Sequence, residues 1–270
     1  MIETKVSTYL FPLILSIVLV FFIYPIYLIF SLAFQPDASI FSYPPKFIFT
    51  PSLENFIFVI GSYKFTNYLM NSVIVTTCSV ILSVIIGLPS TYVMSRYDVK
   101  GKQIIFSAIL LIRFLPTIAI AIPIYLIYAQ IGLYDTLLGL ILVYVLLNLP
   151  FVVLLMSGYL VDVPKDLEET FEVDGLSKTS VFFKVTLPLI SKGLLVTALF
   201  CLIFTWNEFA VALLLTGKDA RTLTGQIASS MGFSPGMFCA SGLIVALPMI
   251  IFGLLIRRYL IRGLSLNMVK

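Results

Sequence analysis

Residues 161–192 read VDVPKDLEETFEVDGLSKTSVFFKVTLPLISK. They hold Asp162, Asp166, Glu168, Glu169, Glu172 and Asp174, and four lysines besides, in a chain that is 60% hydrophobic and 11% charged. Long apolar runs lie on both sides. A segment this polar cannot lie in hydrocarbon, where each unpaired charge costs roughly 2.5–3.5 kcal/mol on the lenient scale. It is expected as a water-exposed platform set into a membrane protein. Val163-Pro164 opens a helix, because proline at the first helical position has no amide hydrogen to leave unpaired. Asp166, Glu168 and Glu169 fall in the first turns, where negative charge suits the helix dipole. Leu167, Thr170, Phe171 and Asp174 share one side at spacings i, i+3, i+4 and i+7. Asp174-Gly175 stops the helix, Ser177 caps a second one, and Pro188 marks the return of the chain toward the membrane. The pattern is a helix–turn–helix with an apolar stripe and an acidic flank. An ordinary loop resting on lipid headgroups fits less well, since the inner leaflet is itself anionic.

The rest of the chain reads as an all-α polytopic membrane protein, with mean hydropathy +1.09 over 270 residues. Six transmembrane spans are expected, at about 9–34, 68–94, 103–129, 136–156, 193–215 and 238–256, forming one domain over 1–270. The first reads as an uncleaved span, with no small-residue cleavage site after it. A short lateral helix near Leu53–Ile60 is expected in the loop that follows, opened by Pro51-Ser52. Ser72, Thr76, Ser83, Gly87 and Ser90 mark the close-packing face of the second span. Pro116 and Pro123 kink or interrupt the third.

Orientation follows from the basic residues. Of the seventeen Lys and Arg, about twelve fall on the platform side with both termini, about four on the other side, and Arg113 within a span. The positive-inside rule puts the platform and both termini in the cytoplasm. Histidine is absent and Cys78, Cys201 and Cys239 are scattered. That removes the commonest general base and metal ligand, and no metal site or disulfide framework is implied. No GxxxxGK[ST] loop occurs, so the chain is not expected to hydrolyse nucleotide.

Glu169-Thr-Phe-Glu-Val-Asp-Gly-Leu, followed by Phe182-Phe-Lys-Val-Thr-Leu-Pro188-Leu, resembles the EAA loop of ABC-importer permeases. Glu169, Asp174, Gly175 and Pro188 match that pattern, while Thr170, Phe171 and Leu176 stand where the family has alanines. Asn71-Ser72, Pro116, Ile-Pro123-Ile-Tyr125, Gly132-Leu133, Trp206-Asn-Glu-Phe209 and Arg262-Gly-Leu resemble the carbohydrate-uptake, maltose-type branch, in its shorter six-span subunit. The resemblance implies a type I ABC-importer permease fold, and a transport subunit that is not itself an enzyme. It implies a second permease, most simply in a heterodimer, and two cytoplasmic ABC ATPase subunits that hold ATP and Mg. It also implies an extracytoplasmic solute-binding protein, a sugar or oligosaccharide substrate, and an inner-membrane location. Glu169, Thr170, Phe171, Asp174, Gly175 and Leu176 would then form the ATPase-coupling surface. In the tail, Asn267 replaces an expected glycine and Lys270 ends the chain, which sets the tail apart from the branch.

Within the spans, Asn207 and Glu208 either line the solute path or a polar contact with the partner permease, or Glu208 only caps polar groups at a helix end. A buried carboxylate in lipid faces a cavity or a partner. Trp206 reads as packing, and Arg113 as snorkelling or making a structural hydrogen bond. Two other functions compete: an ABC permease for another small solute, and an ion-coupled secondary transporter. The second would carry inverted repeats with paired broken helices, and no such halves are visible.

Overall fold

The computed structural model describes residues 3–266 except 45, 47, 63 and 230–233, with side chains between 12 and 255. Asn267 and Lys270 lie outside the described residues. Every described element is helical: α1 (Glu3–Phe34), α2 (Asp37–Ile40), α3 (Glu54–Gly61), α4 (Phe65–Arg96), α5 (Lys102–Phe114), α6 (Thr117–Ile131) and α7 (Leu137–Val161). Then come α8 (Lys165–Val173), α9 (Lys178–Val181), a π-helical turn (Phe182–Thr186), α10 (Leu187–Asn207), α11 (Ala210–Leu215), α12 (Leu223–Ser229) and α13 (Pro235–Leu266). Among the described residues five stretches are long and apolar enough to cross a membrane: Pro12–Phe34, Phe65–Arg96, Leu137–Val161, Lys178–Asn207 and Pro235–Leu255. Helices α5 and α6, bent by 97° where they meet, make a sixth if taken as one broken span.

Proline chemistry explains the break. Pro116 disfavours the helical region for the residue before it, and Leu115 sits in extended backbone at φ −74°, ψ 138°. Pro123, by contrast, is carried inside α6. The interruption expected of the third span is therefore located at Pro116.

Two expected boundaries need correction. The fourth span's helix runs on to Val161, whereas α13, Pro235–Leu266, contains the whole stretch 238–256. The fifth does not cover 193–215. Its helical stretch starts at Lys178 and ends at Asn207, and 210–215 is the separate helix α11. Pro188 is likewise not a point of return. It lies in the first turn of α10, and the chain passes through it without leaving the helix. The π-turn is the reason: proline has no N–H for an i→i−4 bond and its ring crowds that carbonyl. The Leu187 amide bonds to the Phe182 carbonyl, five residues back, which widens the turn just before the proline.

Contacts group the chain into two compact units, Met1–Thr66 with Ser230–Leu247, and Asn67–Ser229 with Pro248–Lys270. In the first, residues 12–30 of α1 are exposed in the isolated chain. The lateral helix is present as α3. Asn55 on it donates from Nδ2 to the carbonyls of Ala33 (3.1 Å) and Gln35 (2.9 Å), satisfying acceptors at the end of α1 that the helix leaves unpaired. Phe34 and Phe56 pack with ring centroids 4.9 Å apart.

The second unit is built on α4, α7 and α10. Ser72, Thr76, Ser79, Ser83, Gly87 and Thr91 form a buried small-residue face on α4, which is how backbones approach closely without a hydrophobic drive in lipid. Ser90, expected on that face, is exposed and bonds back to Ile86. A Cβ added at Gly87 would lie 2.7 Å from Val152 Cγ1, and one at Gly193 would fall on the Tyr159 ring. Asn148 Nδ2 donates to Thr205 Oγ1 at 2.8 Å, tying α7 to α10.

At the end of α4 away from Arg96, one carboxylate organises a loop. Asp135, in left-handed backbone at φ 56°, accepts from the amides of Gly217 (2.7 Å), Lys218 (2.9 Å), Asp219 (3.2 Å) and Ala220 (3.0 Å). Burial pushes its pKa up, but the four backbone N–H bonds outweigh burial and hold it below the usual carboxylate range. Asn71 completes the clamp by donating to the carbonyls of Asp219 (2.8 Å) and Arg221 (3.0 Å), and Ser72 Oγ accepts from Leu223 N–H (2.8 Å).

Candidate functional site: a braced polar platform and a polar cavity

The helix–turn–helix expected for the platform is α8 and α9. Gly175 has φ +95°. The Leu176 amide bonds to the Phe171 carbonyl (3.1 Å) and the Gly175 amide to that of Glu172 (3.0 Å), the paired ending that a glycine at this position allows. Ser177 Oγ accepts from the Ser180 amide at 3.3 Å and so caps α9. Pro164 falls one position before the first helical residue, within the ordinary spread of helix boundaries.

Of the residues named from the sequence, Glu169, Thr170, Asp174 and Gly175 are exposed, and Phe171 and Leu176 are half-buried. They fall within one continuous stretch of α8 and the turn that follows it. Val173 beside them is 86% exposed.

The side that faces inward is carried by a residue the sequence reading did not single out. Glu168 is buried, and Arg96 at the end of α4 binds it in a fork, Nε to Oε2 and Nη2 to Oε1, both at 2.9 Å. Tyr92 donates its hydroxyl to Oε2 (3.2 Å) and Thr186, in the π-turn, donates to Oε1 (2.8 Å). Arg96 Nη2 also reaches the Val163 carbonyl at 3.0 Å. One carboxylate thus joins α8 to α4 and to the base of α10. Buried charges are tolerable only when paired and fully hydrogen-bonded, and this one is. Lys178 Nζ lies 4.9 Å from the centre of the Tyr97 ring, a second tie between α9 and the end of α4. The available signal was Arg96 ending an apolar run with two adjacent glutamates downstream, but the sequence does not say which glutamate turns inward.

Asn207 and Glu208 sit where α10 stops. Glu208 is extended (ψ 118°), and its Oε2 accepts from the Val211 amide (2.9 Å) and the Tyr144 hydroxyl (3.2 Å), closing the start of α11. Asn207 Nδ2 donates to the Ile203 carbonyl and to Met249 Sδ. Both residues also line a cavity of about 290 Å³, with Arg113, Thr117, Asn148 and Phe204 among its other walls. Among the described residues Arg113 makes no hydrogen bond of the structural kind that was one expectation for it. Its guanidinium lies over the rings of Phe151 (4.0 Å) and Phe204 (4.4 Å). Trp206 is buried in the packing of α10.

A set of apolar spans with one broken member, carrying a braced polar platform, defines a polytopic membrane protein. Residues 83–265 match the family described as binding-protein-dependent transport system inner membrane component, and the chain belongs to it. It is 32% identical to the trehalose transport system permease protein SugB of Mycobacterium tuberculosis over 253 residues, 91% of this chain and 92% of that one. It is 31% identical to the diacetylchitobiose uptake system permease protein DasC of Streptomyces coelicolor, covering 92% of each. Its fold is similar to that of a chain in the crystal structure of a bacterial ABC transporter involved in the import of the acidic polysaccharide alginate. The TM-score is 0.78 at 18% identity, covering 95% of this chain and 97% of that chain. The protein is a multi-span inner-membrane transport subunit.

Proposed function

We propose that this chain is one of two permeases of an ATP-driven sugar importer, with the platform and both termini in the cytoplasm. Two ABC ATPase subunits, holding ATP and Mg, dock on the edge formed by Glu169, Thr170, Phe171, Asp174, Gly175 and Leu176. The observation that carries this reading is the platform itself: an open acidic and apolar edge on α8, braced from beneath by Glu168. Closure of the ATPases pushes α8; the Glu168–Arg96 fork passes the push to α4, and the Thr186–Glu168 hydrogen bond passes it to the base of α10. The spans then rock between inward-open and outward-open states as packed bodies. The second permease completes the path, a binding protein delivers solute from outside, and hydrolysis belongs to the ATPases. A sugar or oligosaccharide substrate is supported by the relatives named for trehalose and diacetylchitobiose and by the Trp206-Asn-Glu-Phe209 segment.

The test is a cysteine at Glu169 or Ser177 in a chain lacking Cys78, Cys201 and Cys239, followed by crosslinking in membranes. An ATP-sensitive crosslink to a separate ATPase subunit is expected. A chain that purifies alone and transports solute in vesicles without ATP overturns the reading and leaves an ion-coupled transporter. An ATP-sensitive crosslink with hydrolysis stimulated only by a non-sugar solute keeps the importer and removes the sugar.

A further inference from the structure

We infer that the cavity at the break between α5 and α6 is a sugar-contact site on this chain, with Arg113 as its principal donor. The inference rests on the importer reading above and deepens it by naming where solute is held. The break at Pro116 brings Arg113, at the end of α5, and Thr117, at the start of α6, to one cavity with Asn148 of α7 and Phe204 and Asn207 of α10. Arg113 and Asn207 are exposed in the isolated chain. Neither a guanidinium nor a side-chain amide is stable against lipid tails, so this face meets water, solute or protein.

Three features favour solute. Arg113 has no carboxylate partner among the described ion pairs. The rings of Phe151 and Phe204, with centroids 4.4 Å apart, lie 4.0 and 4.4 Å from the Arg113 guanidinium carbon, a cation–π contact that holds the charge while its N–H donors call for acceptors. Acceptors stand nearby: both Nδ2 hydrogens of Asn207 are committed to Ile203 and Met249, and Asn148 Nδ2 is committed to Thr205. Their side-chain oxygens therefore remain to accept. A ring hydroxyl both donates and accepts, so a polyhydroxylated solute matches this mixture, with Phe204 as an apolar wall. An anion would use only the donors and would sit beside Glu208. The volume, about 290 Å³, lies at the small end of ligand sites, about 300–1,000 Å³.

The experiment uses the whole importer in proteoliposomes, with binding protein, both permeases and ATPases, and with radiolabelled trehalose, maltose and diacetylchitobiose as probes. For whichever sugar the wild type moves, Arg113→Ala is expected to lower uptake about tenfold or more, the effect of losing a charged hydrogen-bond donor. Hydrolysis stimulated by the loaded binding protein is expected to persist. Arg113→Lys keeps the charge but not the planar fork of donors, and should recover only part of the loss. Where Arg113→Ala fails to assemble, Thr117→Cys in the cysteine-free chain serves: a small methanethiosulfonate reagent should label it, and the transported sugar should slow labelling. Wild-type uptake in Arg113→Ala, or labelling of Thr117→Cys unaffected by sugar, overturns this inference and leaves the importer reading intact. Failure of the wild type to move any of the three sugars overturns the sugar site, while the ATP-sensitive crosslink separately decides the importer reading.

Discussion

Glu168 and Arg96, 72 positions apart, meet in a two-bonded fork at 2.9 Å with both side chains 7% exposed. The pair fixes the platform helix to a membrane span. Removing one partner leaves a buried charge without its counterion, at a cost of about 3–5 kcal/mol, whereas replacing both by apolar residues of similar size is far milder. Glu168→Ala and Arg96→Ala are each expected to lower the unfolding midpoint in detergent strongly. The double change Glu168→Met with Arg96→Met should lose much less than the sum. Additive losses in that double-mutant cycle would show that the two charges do not act as a pair.

Gly175 at φ +95° is the next test. An L side chain there is strained by about 1–2 kcal/mol. Gly175→Ala should speed amide exchange at Leu176 and Gly175, whose bonds to Phe171 and Glu172 close α8, and should weaken crosslinking at position 169 to an ATPase. Unchanged exchange would mean that the turn tolerates the strain.

Gly193 lies against the Tyr159 ring with no room for a Cβ. Gly193→Ala overpacks the α7–α10 interface and should cost about 1–3 kcal/mol. The penalty should shrink in a Tyr159→Leu background, measured by thermal unfolding of all four variants. An equal penalty in both backgrounds would place the cost elsewhere.

Asp135 gives a pH dependence. Its folded pKa is depressed, so its stabilisation of the 217–220 loop is fully present above the unfolded value of about 3.9. It is lost as pH falls through the lower folded value. Amide exchange at Gly217, Lys218 and Ala220 should accelerate in that acid window. Asp135→Asn should show fast exchange already at neutral pH. Protection that survives in Asp135→Asn would assign the loop's order to Asn71 and Ser72 instead.

What the sequence determined by itself is everything that acts within a turn or two of the chain. The apolar runs gave the spans, two prolines a kink or break in the third, Ser177 a cap and Gly175 a positive-φ stop, because each of these is a property of neighbouring residues. The segment from Glu169 to Leu176 was picked out by its resemblance to the EAA loop. Only the tertiary structure decided that Glu168 and not Glu169 turns inward. Adjacent residues on a helix differ by about 100° in direction, and the choice depends on where Arg96, Tyr92 and Thr186 arrive from two other elements. It also decided that Pro188 is absorbed by a π-turn, that the stretch after Asn207 leaves the span, and that Arg113 stacks on Phe151 and Phe204. Those outcomes are set by packing between residues far apart in the chain, where a local pattern carries no distance information.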